Sequence, residues 1–127
     1  MHYLNIEQLL QLHVLVLLKD GGSEGLRDIG RLESVVSTQT QIVFGEELYP
    51  SVHDKAAAII RSIIGDHPFS DGNKRTAMLA GLTFLEINGY EFMAHDGELE
   101  DFAVQVAVEH LEVDAIAEWL RVHSKTS

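Results

Sequence analysis

From Asn73 to Leu85 the chain reads NKRTAMLAGLTFL. After its first turn nearly every position is apolar or small, so no single apolar stripe separates one face from another. A helix of that kind is buried on most sides. The remainder of the chain must therefore supply walls around it. With 127 residues there is room for one domain, and roughly two-thirds of the unfolded surface can be removed from water at that size. A hydrophobic content of 46% and a mean hydropathy of +0.04 suit an ordinary folded protein.

The walls are predicted to be helical. Ile6 to Lys19 reads as a helix ended by Asp20-Gly21-Gly22, and Gly21 to Gly25 as a loop. Asp28 caps a second helix through Leu32, Val35 and Val36. Thr38 to Pro50 stays open between an edge strand, a hairpin and a lid. Ser51 and Asp54 form a capping-box pattern ahead of a helix reaching about Ile64. The Asp66-His67-Pro68 turn stops it, with His67 expected in an extended conformation because proline bars the residue before it from the right-handed helical region. The buried helix then starts at Asn73 and ends at Asn88-Gly89. Glu91 to Ala94 reads as a short extended piece. Asp96 is expected to cap a helix through Phe102, Val106 and Ala107, and a last amphipathic helix carries Ile116, Trp119 and Leu120. The predicted fold is all-α, a compact single-domain bundle over 1–127 with a short flap or hairpin.

Composition excludes much. There is no cysteine, which removes disulfides, thiolate metal sites and thiol nucleophiles, and agrees with a reducing compartment. Twenty acidic against nine basic residues leave a net charge of −11. Such a body repels nucleic acid and anionic membranes, and no basic stripe offsets it. Leu9 to Leu18 is apolar but shorter than the about 20 residues a bilayer needs, and Gln11 and His13 interrupt it. No secretory signal is expected, and a cytoplasmic location is. No Walker pattern, H-E-x-x-H or G-x-S-x-G occurs, and the seven histidines lack metal-ligand spacing. The four carboxylates between Asp96 and Asp101 read as a cap and a wetted face.

One stretch does not read as packing: HPFSDGNKRTA, His67 to Ala77. Asp71-Gly72 makes a turn and Asn73 opens a helix, so the N–H groups of Gly72, Asn73 and Lys74 are expected to point outward as an anion site. Lys74 and Arg75 add cations at the helix end where the dipole disfavours them. Asp71 offers a hard oxygen of the kind Mg²⁺ accepts beside phosphates. His67 has a near-neutral pKa suited to taking a proton from a hydroxyl, and Phe69 is expected to turn inward and anchor the loop. Taken singly, each residue has a structural explanation: Asp-Gly-Asn joins many helices, and His13, His53 and His110 read as partly buried polar residues. Together they form the set of parts that phosphoryl-type transfer requires.

These residues resemble the signature of the Fic/Doc family: His-Pro-Phe, two variable positions, then Gly-Asn-Gly-Arg. Here it reads His67-Pro68-Phe69-Ser70-Asp71-Gly72-Asn73-Lys74-Arg75, and lysine in place of the second glycine is the Doc form. The resemblance extends to Gly25-Leu26-Arg27-Asp28, to Phe44-Gly45-Glu46-Glu47-Leu48-Tyr49-Pro50, to Leu85-Glu86-Ile87-Asn88-Gly89-Tyr90 and to Ala117-Glu118-Trp119-Leu120. It implies that His67 is the base, Phe69 an anchor and Asp71 the Mg²⁺ ligand. Gly72 and Asn73 would belong to the anion cradle, with Lys74 and Arg75 on the phosphates of ATP. The Ile42 to Tyr49 segment would be a flap that aligns a target peptide.

The Doc form implies a toxin that phosphorylates a threonine of a translation factor such as elongation factor Tu. The alternatives are AMP transfer, as in typical Fic enzymes, and a non-catalytic binding member. Met78 stands where AMP-transferring relatives often carry a second arginine. The family's inhibitory Ser/Thr-x-x-x-Glu-Gly/Asn motif is absent, since Glu24-Gly25 is preceded by Asp20. A Phd-type antitoxin, whose disordered tail folds into a groove on the toxin, is the implied brake.

Overall fold

The buried helix is present as α4, Asn73–Ile87, with Thr76, Ala77, Ala80, Gly81, Phe84 and Leu85 all out of contact with water. The structure is a computed structural model that describes residues 1–95 and 97–127. Against α4 lie α1 (Ile6–Asp20), α3 (Val52–Asp66) and α5 (Glu98–Glu109), while α2 (Ile29–Thr38) and α6 (Val113–Val122) pack on α3. The approach of α3 to α4 is close because Gly81 has no side chain: a Cβ there would stand 2.5 Å from Ile60 Cδ1.

Side-chain caps account for three of the six described helix starts. Asp28 accepts the Arg31 N–H at the head of α2, and Ser51 and Asp54 exchange bonds at the head of α3 as a capping box requires. Asn5 and Gln8 make a second box on α1. α5 begins at Glu98 with Gly97 at its N-cap; the cap expected from Asp96 falls outside the described residues.

The region left open between Thr38 and Pro50 is a hairpin. β1 (Ile42–Val43) pairs antiparallel with β2 (Glu46–Glu47), Ile42 opposite Glu47 and Val43 opposite Glu46. Phe44 and Gly45 make the turn with φ of 51° and 80°, the doubly positive geometry that matches strand twist. The extended piece after α4 is β3 (Tyr90–Phe92). It pairs with β4 (Ser124–Thr126), a strand that Ser-Lys-Thr does not announce and that exists through its partner.

Two expectations at the end of α3 need correction. The helix continues to Asp66, and His67 is not extended: it adopts the left-handed conformation, φ 50° and ψ 61°. Proline excludes only the right-handed helical region. A left-handed cap lets the His67 N–H close on Ile63 O at 3.1 Å, which satisfies an end carbonyl of the helix. Among the described residues no helix is long and apolar enough to cross a membrane.

Candidate active site

The loop from His67 to Gly72 joins α3 to α4 and is held from beneath. Phe69 is 1% exposed, turned inward as expected. Its ring lies flat on the buried His13 of α1, centroids 3.9 Å apart. His13 Nε2 is 2.8 Å from the Asp71 carbonyl. A carbonyl only accepts, so Nε2 carries the proton. Asn73 folds back: its Nδ2 donates to Phe69 O at 2.9 Å and its Oδ1 accepts the Phe69 N–H at 3.1 Å. That side chain is committed to the loop, and Asn73 offers a ligand its main-chain N–H.

The loop between α1 and α2 holds the other side. Arg27 and Asp28 donate their N–H groups to Pro68 O, and Ser70 donates its own to Gly25 O. The Ser23 N–H donates to Asp71 Oδ2 at 3.1 Å. Gly22 makes this approach possible, since a Cβ on it would sit 2.7 Å from that oxygen. The Ser23 amide, and after it the Gly72 amide, hold the Asp71 carboxyl below the usual carboxylate range, with Arg75 and His13 adding to the effect. Asp71 is thus ionised and fixed in direction, while each oxygen keeps lone pairs for a cation.

The anion cradle differs from expectation in one member. The Gly72 N–H is already taken by Asp71 Oδ1 at 2.8 Å. No side chain caps α4, and among the described residues the N–H groups of Asn73, Lys74 and Arg75 have no internal acceptor. The free donors begin one residue later than the turn suggested. Gly72 contributes its shape: φ is 74°, a left-handed cap that glycine adopts without strain. Lys74 is exposed with no ion-pair partner among the described residues, and Arg75 stands only loosely against Asp20, 3.8 Å away. Two cations are therefore available at an open helix N-terminus.

Asp71, Gly72, Asn73, Lys74 and Arg75 line one groove of about 960 Å³, which continues along apolar side chains of α1, α4 and α5. A separate pocket of about 440 Å³ lies between α3, α5 and the root of the hairpin, with Tyr49, Arg61 and His110 on its walls. His67 borders both. Its Nδ1 lies 3.3 Å from Gly65 O, a carbonyl that only accepts, and Nε2 has no hydrogen-bond partner among the described residues. Among the described residues no cluster of three or more His, Asp or Glu could hold a metal by itself. One fixed carboxylate beside a phosphate site nevertheless fits Mg²⁺, which takes one or two carboxylates and completes its shell with phosphate and water oxygens.

All the loop residues singled out in the sequence meet in this place except Phe69, which supports it from the core. Sequence reading treated His13 as a bystander and passed over Gly22 and Ser23. Their roles depend on α1 and the loop after it lying against a segment some fifty positions away, as the Ser23 to Asp71 bond does.

The helical bundle sets a histidine and an anion-receptive, cation-flanked helix start on one loop. The chain belongs to the Fic/DOC family, whose model matches residues 3–85. It is 41% identical over 100 residues to Toxin Doc of Mycolicibacterium smegmatis, covering 76% of each chain. It is 32% identical over 121 residues to Protein kinase doc of Escherichia phage P1, covering 95% of this chain and 94% of the other.

Proposed function

We propose that this protein is a Doc-type toxin acting in the cytoplasm as a Mg²⁺- and ATP-dependent phosphotransferase, with a hydroxyl of a translation factor as acceptor. The observation that carries the reading is the position of His67, on the border between the cationic groove and the pocket that Tyr49, just after the hairpin, helps to wall. A nucleotide lying along the α4 N-terminus would present a phosphate to one side of the imidazole, and a target residue would reach the other. Nε2 takes the hydroxyl proton, the oxygen bonds to the γ-phosphorus, and the bond from that phosphorus to the bridging oxygen breaks to release ADP. The proton then leaves His67 to solvent. Lys74, Arg75 and the free N–H groups of Asn73, Lys74 and Arg75 hold the phosphate oxygens as charge builds on them. Asp71 would hold Mg²⁺, which when bound neutralises phosphate charge and orients the chain of phosphates.

Phosphate rather than AMP transfer is supported by Lys74, by Met78 in place of a second arginine, and by the kinase name of the phage relative. A threonine of elongation factor Tu is the proposed acceptor, by resemblance. The apolar continuation of the groove, past Leu15, Leu79, Leu82 and Val104, suits the folded tail of a Phd-type antitoxin. A tail packed there would also shut the nucleotide out.

The test uses ATP labelled separately at the α and γ positions in a translation lysate. Label from the γ position on a translation factor, abolished by His67→Ala, is the expected result. Label from the α position would replace the reading with AMP transfer. No label, with growth arrest unchanged by His67→Ala, would replace it with binding alone.

A further inference from the structure

Lys55 is a lysine in the wrong place for a solvated charge. It precedes Ala56-Ala57-Ala58-Ile59-Ile60 on α3 and is 1% exposed. Its Nζ donates to Gln39 O at 2.6 Å and to Glu47 Oε1 at 2.9 Å, with the Tyr3 ring 5.9 Å away. Gln39 is itself buried, and its side-chain amide pairs with the N–H and C=O of Leu4. One ammonium thus gathers the end of α2, the N-terminal segment and strand β2 of the hairpin.

We propose that Lys55 and Glu47 form a latch that fixes the hairpin relative to His67, and that both are positioning residues for the protein acceptor; this rests on the hairpin serving as the acceptor flap of the proposed phosphotransferase. A hairpin with two residues per strand has almost no stability of its own. Ile42 is exposed and Phe44 at the tip fully so, leaving little apolar burial to hold it. Glu47 supplies the missing anchor. Its departure would leave a buried ammonium without its counter-ion, an arrangement with a large desolvation cost.

Side chains alternate along a strand, so in this register it is Glu47, and not its neighbour Glu46, that reaches Lys55. The helix that carries Lys55 ends on His67. Base and flap are therefore referred to one rigid element, which is how a reacting geometry is kept within narrow limits. Gly45 and Phe44 remain free to move with the target while the root stays put.

The experiment compares wild type with Glu47→Gln, Glu47→Asp and Lys55→Met by amide hydrogen exchange over residues 41–48, ATP binding, and the inducer level needed for growth arrest. Glu47→Gln should speed exchange in the hairpin by about tenfold or more while ATP affinity stays within about twofold. Arrest should need about tenfold more protein, read in the lysate as a raised KM for the target with kcat little changed. Glu47→Asp should recover part of both effects, and Lys55→Met is a second route should Glu47→Gln fold poorly. Unchanged exchange in Glu47→Gln and Lys55→Met would overturn the latch, and a loosened hairpin with undiminished arrest would overturn its role. Arrest by wild type without phosphate transfer would instead sink the phosphotransferase reading, with the latch still judged by exchange and arrest.

Discussion

Asp71 and Gly22 show how much of the site is set atom by atom. Gly22 has φ of +124°, and the space its Cβ would need is filled by Asp71 Oδ2. Gly22→Ala therefore meets backbone strain and a displaced carboxylate together. A loss of about 1–3 kcal/mol in denaturant unfolding is expected, with activity falling further than stability because Asp71 loses its direction. His13→Phe should keep the stack on Phe69 and remove the donor to Asp71 O. The stranded carbonyl makes a cost of about 1–3 kcal/mol the expected result of the same measurement. Neither residue is visible as functional in the sequence. A glycine in a glycine-rich loop and a histidine in an apolar helix acquire meaning only from the loop that lies across them.

At the scale of elements, local chemistry goes far. The caps at Asp28 and Ser51 and the stop at Asn88-Gly89 are read correctly because they are decided within one turn of chain. The hairpin and β4 are not decided so locally. The hairpin depends on Lys55 and Gln39, and β4 on β3, so their sequences carry only a weak preference. The junction of α3 and α4 is likewise tertiary. Gly81→Ala would drive a methyl into Ile60, and overpacking of this kind should cost about 1–3 kcal/mol, measurable as a lowered denaturation midpoint. If the midpoint is unchanged, the two helices have room to separate and the close approach is not required.

The molecule as a whole should be weakened by acid. His53 Nε2 donates to Ser124 Oγ at 2.9 Å, whose own proton goes to Leu120 O, and its ring meets Tyr90 edge-on beside the β3–β4 sheet. Burial, and then Arg121, lower its pKa from 6.5 against an opposing pull from Asp54. The folded state thus binds this proton less readily than the unfolded chain. Stability is full above the unfolded value and falls as pH drops through it toward the lowered folded one. Asp71, and Glu98 through the His95 amide foremost, have lowered pKa values as well, and their contributions are lost at still lower pH. Melting temperatures taken between pH 8 and pH 5 should therefore decline, and His53→Gln should show a shallower decline over the upper part of that range. A slope identical to wild type would remove His53 from the account.

The run from Asn73 to Leu85 by itself demanded a buried helix, and the motif before it by itself marked the loop and the open start of that helix, because periodicity and turn chemistry act over a few residues. The left-handed His67, the loss of the Gly72 N–H to Asp71, the support from His13 and Ser23 and the burial of Lys55 were decided by folding. Each depends on which distant group arrives to satisfy a hydrogen bond or neutralise a charge, and that is settled only when the helices pack.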